Sequence, residues 1–174
     1  MKNWIVISSI LLLLLAMLNP KTQLFCVLKE QIEVYKNDKT QKYSFLDFIT
    51  FFLIPIAISA LVAIDLPLNK IVEQAGTIIT IFSLIATLPL SFLAVLMDKI
   101  LKAKEKTEEV AKETFTSITV DIVYSMIIIA LVVLAALTNF PTVAQKVLVG
   151  FIAFFVVKIV LNILMILKRV FKLM

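Results

Sequence analysis

Residues 118–167 read ITVDIVYSMIIIALVVLAALTNFPTVAQKVLVGFIAFFVVKIVLNILMIL. Residues 45–97, FLDFITFFLIPIAISALVAIDLPLNKIVEQAGTIITIFSLIATLPLSFLAVLM, repeat the pattern. Each stretch holds two long apolar runs parted by a short polar break. The four runs are Phe45–Ile64, Thr77–Met97, Ile118–Leu137 and Val147–Leu167. A helix rises about 1.5 Å per residue, so each run is long enough for a hydrocarbon core of about 30 Å. The spacing predicts an all-α, polytopic membrane protein of two transmembrane hairpins, four spans in all.

The charges orient these hairpins. Lys21–Lys42 carries five lysines, Lys99–Lys112 five more, and the tail adds Lys168, Arg169 and Lys172. The hairpin tips, Asp65–Gly76 and Thr138–Lys146, hold only Lys70 and Lys146. An even number of crossings puts thirteen cations on one face and two on the other. By the positive-inside rule the basic loops and the C-terminus are cytoplasmic.

Composition agrees. The chain is 61% hydrophobic and carries a net charge of +5. The runs are apolar on all sides, which a water-soluble bundle does not tolerate. The cations flank the spans, where they meet anionic headgroups, and no basic patch is interleaved with aromatics. Nucleic acid is therefore not an expected partner; the lipid bilayer is. There is no histidine and only one cysteine, Cys26. That removes histidine-based nucleophilic triads and the commonest zinc and haem ligands. The two glycines, Gly76 and Gly150, make no phosphate-binding loop. The expectation is no enzyme, no cofactor and no metal.

Four segments follow. Residues 1–44 hold a short hydrophobic helix and an amphipathic cytoplasmic piece. Residues 45–97 form the first hairpin, 98–117 a charged helical connector, and 118–174 the second hairpin with its basic tail. Trp4–Leu18 resembles the apolar core of a signal peptide, but cleavage would leave Lys21–Lys42 on the wrong side of the charge rule. Two readings stay open: a short fifth span, or a helix lying in the interface. Pro20 ends or kinks it. Leu24, Leu28, Ile32 and Tyr35 recur at helical spacing and predict an amphipathic helix, either on the inner leaflet or packed on the bundle.

Pro55 predicts a kink near Ile54, and Pro89 an interruption of the second run. Gly76, Thr80, Ser83, Thr87 and Ser91 fall three or four apart, on one face of that run. Small faces of this kind let helices approach closely in lipid; the same residues could line a pore. Asp98–Ser117 holds five lysines and five acids and reads as a solvated extension of the second span, then a turn into the third.

Lys158 lies ten residues before Lys168, about 15 Å from the inner end of its helix. Ionisable groups at such depth usually face a bundle interior or water. Asn162 is one turn on, on the same face. Asp121 on the third run is the best candidate partner but sits nearer the inner surface, so the pair would be slanted; Asp47 on the first run lies at a depth comparable to Asp121, and Asp65 lies near the outer surface. Either Lys158 is a structural charge paired with a carboxylate within the bundle, or it lines an aqueous path, or it gives up its proton.

The stretch from Ile32 to Tyr124 carries IEVYKNDK, SFLDFITFFLIPIAIS, IFSLIATLPLSFLAVLMD and a charged linker ending KETFTSI. These words resemble a class of small bacterial membrane proteins of phage-defence type, the four-span membrane subunit of the Kiwa system among them. The resemblance implies a bacterial inner membrane and a soluble cytoplasmic partner that supplies the chemistry; homo-oligomerisation is expected from the small-residue face of Gly76–Ser91. It carries no catalytic residue across. Three functions are thus in play: a non-enzymatic membrane module that oligomerises and anchors or signals to a partner, a small oligomeric pore or transporter, and a lipid-acting membrane enzyme.

Overall fold

The computed structural model describes residues 24–33, 45–100 and 105–173, and every element among them is helical. We number them α1 (Leu24–Glu33), α2 (Phe45–Phe48), α3 (Ile54–Asp65), α4 (Leu68–Glu73), α5 (Ala75–Ile100), α6 (Glu105–Leu137) and α7 (Thr142–Leu173). A π-helical turn, Ile49–Leu53, joins α2 to α3. Residues 1–19, with the proposed extra span, and Tyr35 lie outside the described residues.

Two helices are long and apolar enough to cross a membrane: Val110–Leu137 within α6 and Thr142–Lys168 within α7, each with mean hydropathy 2.7. Only 39% and 33% of these stretches are buried. The core helix of a soluble protein would be mostly enclosed; these present most of their apolar surface outward. Leu137, Val143, Phe151 and Leu164 are among the large apolar side chains left exposed. Such patches on a water-soluble monomer would be aggregation sites. The other two runs contribute shorter apolar stretches, Ile49–Asp65 and Ala75–Thr87.

The helices form a row in the order α3, α7, α6, α5. The second hairpin pairs as the sequence predicts: α6 packs on α7. The first does not. Its arms, α3 and α5, share no substantial contact; α3 lies on α7 and α5 on α6, so the second hairpin is inserted between them. The expected tip is therefore a strap. α4 crosses the end of the row and touches α5, α6 and α7, with Leu68 and Ile71 buried beneath it. Leu68 and Ile71 sit three apart on one helix face, which explains why a six-residue helix forms there.

Three local expectations change. Pro89 does not end its helix, for α5 runs from Ala75 to Ile100; neighbouring helices in a bundle tolerate a proline that lacks one N–H. The charged connector belongs mostly to the third run, because α6 begins at Glu105. Without Gly or Pro between Glu105 and Leu137, nothing stops one helix of 33 residues. Pro55 produces the π-turn Ile49–Leu53, with the Ile54 N–H bonded to the Ile49 carbonyl five residues back.

α6 carries the core. Ala111, Thr114, Ile118, Asp121, Ser125, Ile128, Val132 and Ala135 are all buried, at alternating steps of three and four. That is the period of a helix-packing seam. The seam is polar in its first half and apolar in its second.

Candidate functional site: a buried polar chain

The polar half of the seam meets α7 and α1. Asp121 is 1% exposed and Asn162 fully buried. Asn162 Nδ2 donates to Asp121 Oδ1 at 2.9 Å. Gln31 Nε2, from α1, donates to Asn162 Oδ1 at 3.3 Å. One amide thus bridges a carboxylate on the adjacent helix and a second amide 131 residues away in the chain. Asn162 has both a donor and an acceptor end, which is what lets it link the other two. Asp121 Oδ2 and Ser125 Oγ are buried without a hydrogen-bond partner among the described residues. Thr114 and Ser117 return their hydroxyls to the carbonyls of Val110 and Glu113, one turn back on α6.

Lys158 lies one turn before Asn162 on α7 and reaches the π-turn that precedes α3. It is 4% exposed. Its Nζ donates to the Phe51 carbonyl at 3.2 Å and stands 4.8 Å from the centre of the Phe52 ring. In an α-helix the Phe51 carbonyl would accept from the N–H of residue 55. Residue 55 is a proline, fully buried, with no N–H to give. Lys158 therefore supplies the donor that Pro55 withholds. The face of Phe52 adds a negative quadrupole beneath the charge.

The structure brings Lys158, Asn162 and Asp121 into one interior, as their spacing predicts. Asp121 takes Asn162 as its hydrogen-bond partner, and Lys158 stands close enough to interact with it electrostatically. The Asp47 side chain lies outside the described residues. Asp65, expected near the outer surface, is exposed at the end of α3.

The small-residue stripe goes elsewhere. Gly76, Thr80, Ser83, Thr87 and Ser91 are exposed on α5 and face away from the bundle. A Cβ on Gly76 would meet nothing within 4 Å. Thr80 and Thr87 direct their hydroxyls to the carbonyls of Gly76 and Ser83. α1 packs against α6 rather than standing apart, and its inward face centres on Leu28 and Gln31 while Ile32 is exposed.

Sequence reasoning missed Gln31 and the Phe51 carbonyl. A glutamine among charged residues looks like solvent-facing helix surface, so Gln31 had no signal. Phe51 did have one: counting back four from Pro55 finds the carbonyl that cannot take the usual N–H from residue 55. Ser125, one turn beyond Asp121 on the seam, was also open to that arithmetic.

These features define a helical bundle with two helices long and apolar enough to cross a membrane, and a polar interior at one end. No known protein family, characterised protein or solved structure matches the chain.

Proposed function

We propose that the chain is a non-enzymatic membrane module of four crossings that couples a juxtamembrane helix to the state of its transmembrane bundle, and so anchors or signals to a cytoplasmic partner. One observation carries this reading: the Gln31–Asn162–Asp121 chain ties α1 into the interior between α6 and α7. A helix serving only as a membrane anchor has no need of a buried polar bond to the bundle. A polar contact of this kind is directional, so a shift of α7 against α6 moves or releases α1. The exposed residues Lys29, Glu30 and Ile32 then give a partner a surface whose position reports that shift.

The remaining two crossings are assigned to Phe45–Ile64 and Thr77–Met97, on the length and charge arguments above. The resemblance to phage-defence membrane subunits supplies the setting: a bacterial inner membrane and a separate soluble effector. The homo-oligomer rests on the small-residue face of Gly76–Ser91. The pore reading is weaker. Lys158 is held between a carbonyl and an aromatic face instead of lining a path. The hydroxyl stripe faces outward and bonds its own helix.

Cysteine accessibility in intact cells tests the topology, after Cys26 is replaced. Positions 70 and 146 are expected to label from outside and position 104 only after permeabilisation. Labelling of position 104 in intact cells overturns the topology. Spin labels on α1 and α7 test the coupling. Asn162→Leu is expected to broaden the distance between them; an unchanged distribution refutes the role given to the polar chain.

A further inference from the structure

At the opposite end of the bundle, α3 and α7 flank an open groove of about 290 Å³. Small residues make it. Ser59, Ala60 and Ala63 from α3 face Gly150 from α7, and a Cβ on Gly150 would sit 3.5 Å from that of Ala63. The helices touch at this point, and Ile64, Val147 and Lys146 complete the lining. The groove is apolar, and its one charged lining residue is Lys146, which is exposed.

The geometry points to a binding site for an anionic phospholipid, with an acyl chain in the groove and its phosphate at Lys146. This rests on the membrane reading above and names a ligand for it. Three observations carry it together. The lining suits hydrocarbon. The opening faces the side of the protein where lipid would lie, since Ile64 and Val147 beside it are exposed apolar residues. The single cation stands where α7 begins, at headgroup depth for a helix that starts at Thr142. Lysine near a membrane surface attracts anionic headgroups. Asp65 follows Ile64 at the end of α3, outside the lining, and would disfavour a second anion. The groove therefore takes one lipid. It lies along the same α3–α7 contact that Lys158 and the Phe51 carbonyl close at the other end, so lipid occupancy bears on that helix pair.

The test is native mass spectrometry of the full chain released from nanodiscs of mixed phosphatidylglycerol and phosphatidylcholine. The expected result is one retained phosphatidylglycerol, preferred roughly fivefold over phosphatidylcholine, which is the effect of one lysine near the surface. Lys146→Gln should abolish the preference. Lys70→Gln, which changes the other outer-face cation, should leave it intact. Ala60→Leu should lose the retained lipid altogether. Added inorganic phosphate should not compete, since it offers nothing to the groove. Equal retention of the two lipids, or an equal loss from Lys70→Gln, overturns the proposal. So does competition by free phosphate. Resistance to carbonate extraction is scored in parallel: a protein that stays in the membrane yet shows no preference refutes the site alone, while one that washes out refutes the membrane reading itself.

Discussion

Pro55→Ala and Lys158→Met together form a cycle that tests whether the lysine exists to satisfy one carbonyl. The Phe51 carbonyl takes Lys158 Nζ at 3.2 Å. A hydrogen bond from a charged donor contributes about 1.5–3 kcal/mol. The Phe52 face at 4.8 Å adds roughly 0.5–2 kcal/mol. Against both stands the cost of keeping an ammonium from water, several kcal/mol even after relaxation. Lys158→Met removes all three, together with the electrostatic attraction to Asp121, and takes a donor from the carbonyl, which costs up to about 1–3 kcal/mol. These terms nearly cancel, so the single substitution should move stability by no more than about 2 kcal/mol in either direction. The second substitution separates them. Pro55→Ala brings an N–H four residues from Phe51, the donor an α-helix would use. With Lys158 present, that N–H meets a carbonyl already served, and the gain is small. Once Lys158→Met has removed the ammonium, the same N–H replaces the lost donor. Pro55→Ala should therefore stabilise by about 1–3 kcal/mol more in the Lys158→Met background than in the native one. Denaturant unfolding of the four proteins in one fixed micelle reads the coupling. Equal effects of Pro55→Ala in both backgrounds, within about 0.5 kcal/mol, would mean the carbonyl is not what Lys158 is there for.

Ser125→Ala should be neutral or stabilise by up to about 1 kcal/mol, because the Ser125 hydroxyl is buried without a partner among the described residues. Asn162→Ala should destabilise by about 2–4 kcal/mol, since it strips Asp121 Oδ1 of its hydrogen bond while Oδ2 already has none; the same unfolding measurement checks both, and a costlier Ser125→Ala would show that an unseen partner holds the hydroxyl. Thr80→Leu and Thr87→Leu should weaken self-association without lowering monomer stability, because both positions are exposed on α5 and their hydroxyls bond only its backbone. Mass photometry in nanodiscs reads the subunit number, and an unaltered distribution removes this face from the assembly.

The helical class, the pairing of α6 with α7 and the burial of Lys158, Asn162 and Asp121 were all legible, because each follows from local pattern. Run length sets the helices, and a short link brings α7 back along α6. A charge or amide deep in an apolar run has nowhere to go but the interior. The split first hairpin was not legible. In lipid every apolar face is as well solvated by tails as by another helix, so the runs carry no signal for which neighbour they choose. The Asp65–Gly76 link is long enough to form α4 and reach across the row, and nothing in its residues distinguishes a strap from a turn. The role of Gln31 was hidden for a similar reason: its partner lies on a helix far along the chain.

The order of the row has a physical asymmetry that bears on assembly. α3 is joined to α7 by a charged donor on a carbonyl. α1 is joined to α7 by an amide hydrogen bond, and through Asn162 to α6. These contacts are directional and saturable, so α1 and α3 have one seat each. α5 is held differently. Its described contacts with α6 are apolar, centred on Phe82 with Ile78, Ile79 and Ile85 around it. Such packing in a bilayer gains dispersion but little specificity, since tails compete for the same surface. Its outer face is the small-residue stripe, open along its length and with no Cβ contact at Gly76. If the chain self-associates as proposed, this helix, with its loosely specified inner face and closely approachable outer face, is where a second copy would dock. Assembly through α5 would then leave the polar interior of each subunit intact, which is what a module must do if its α1 is to report on its own bundle.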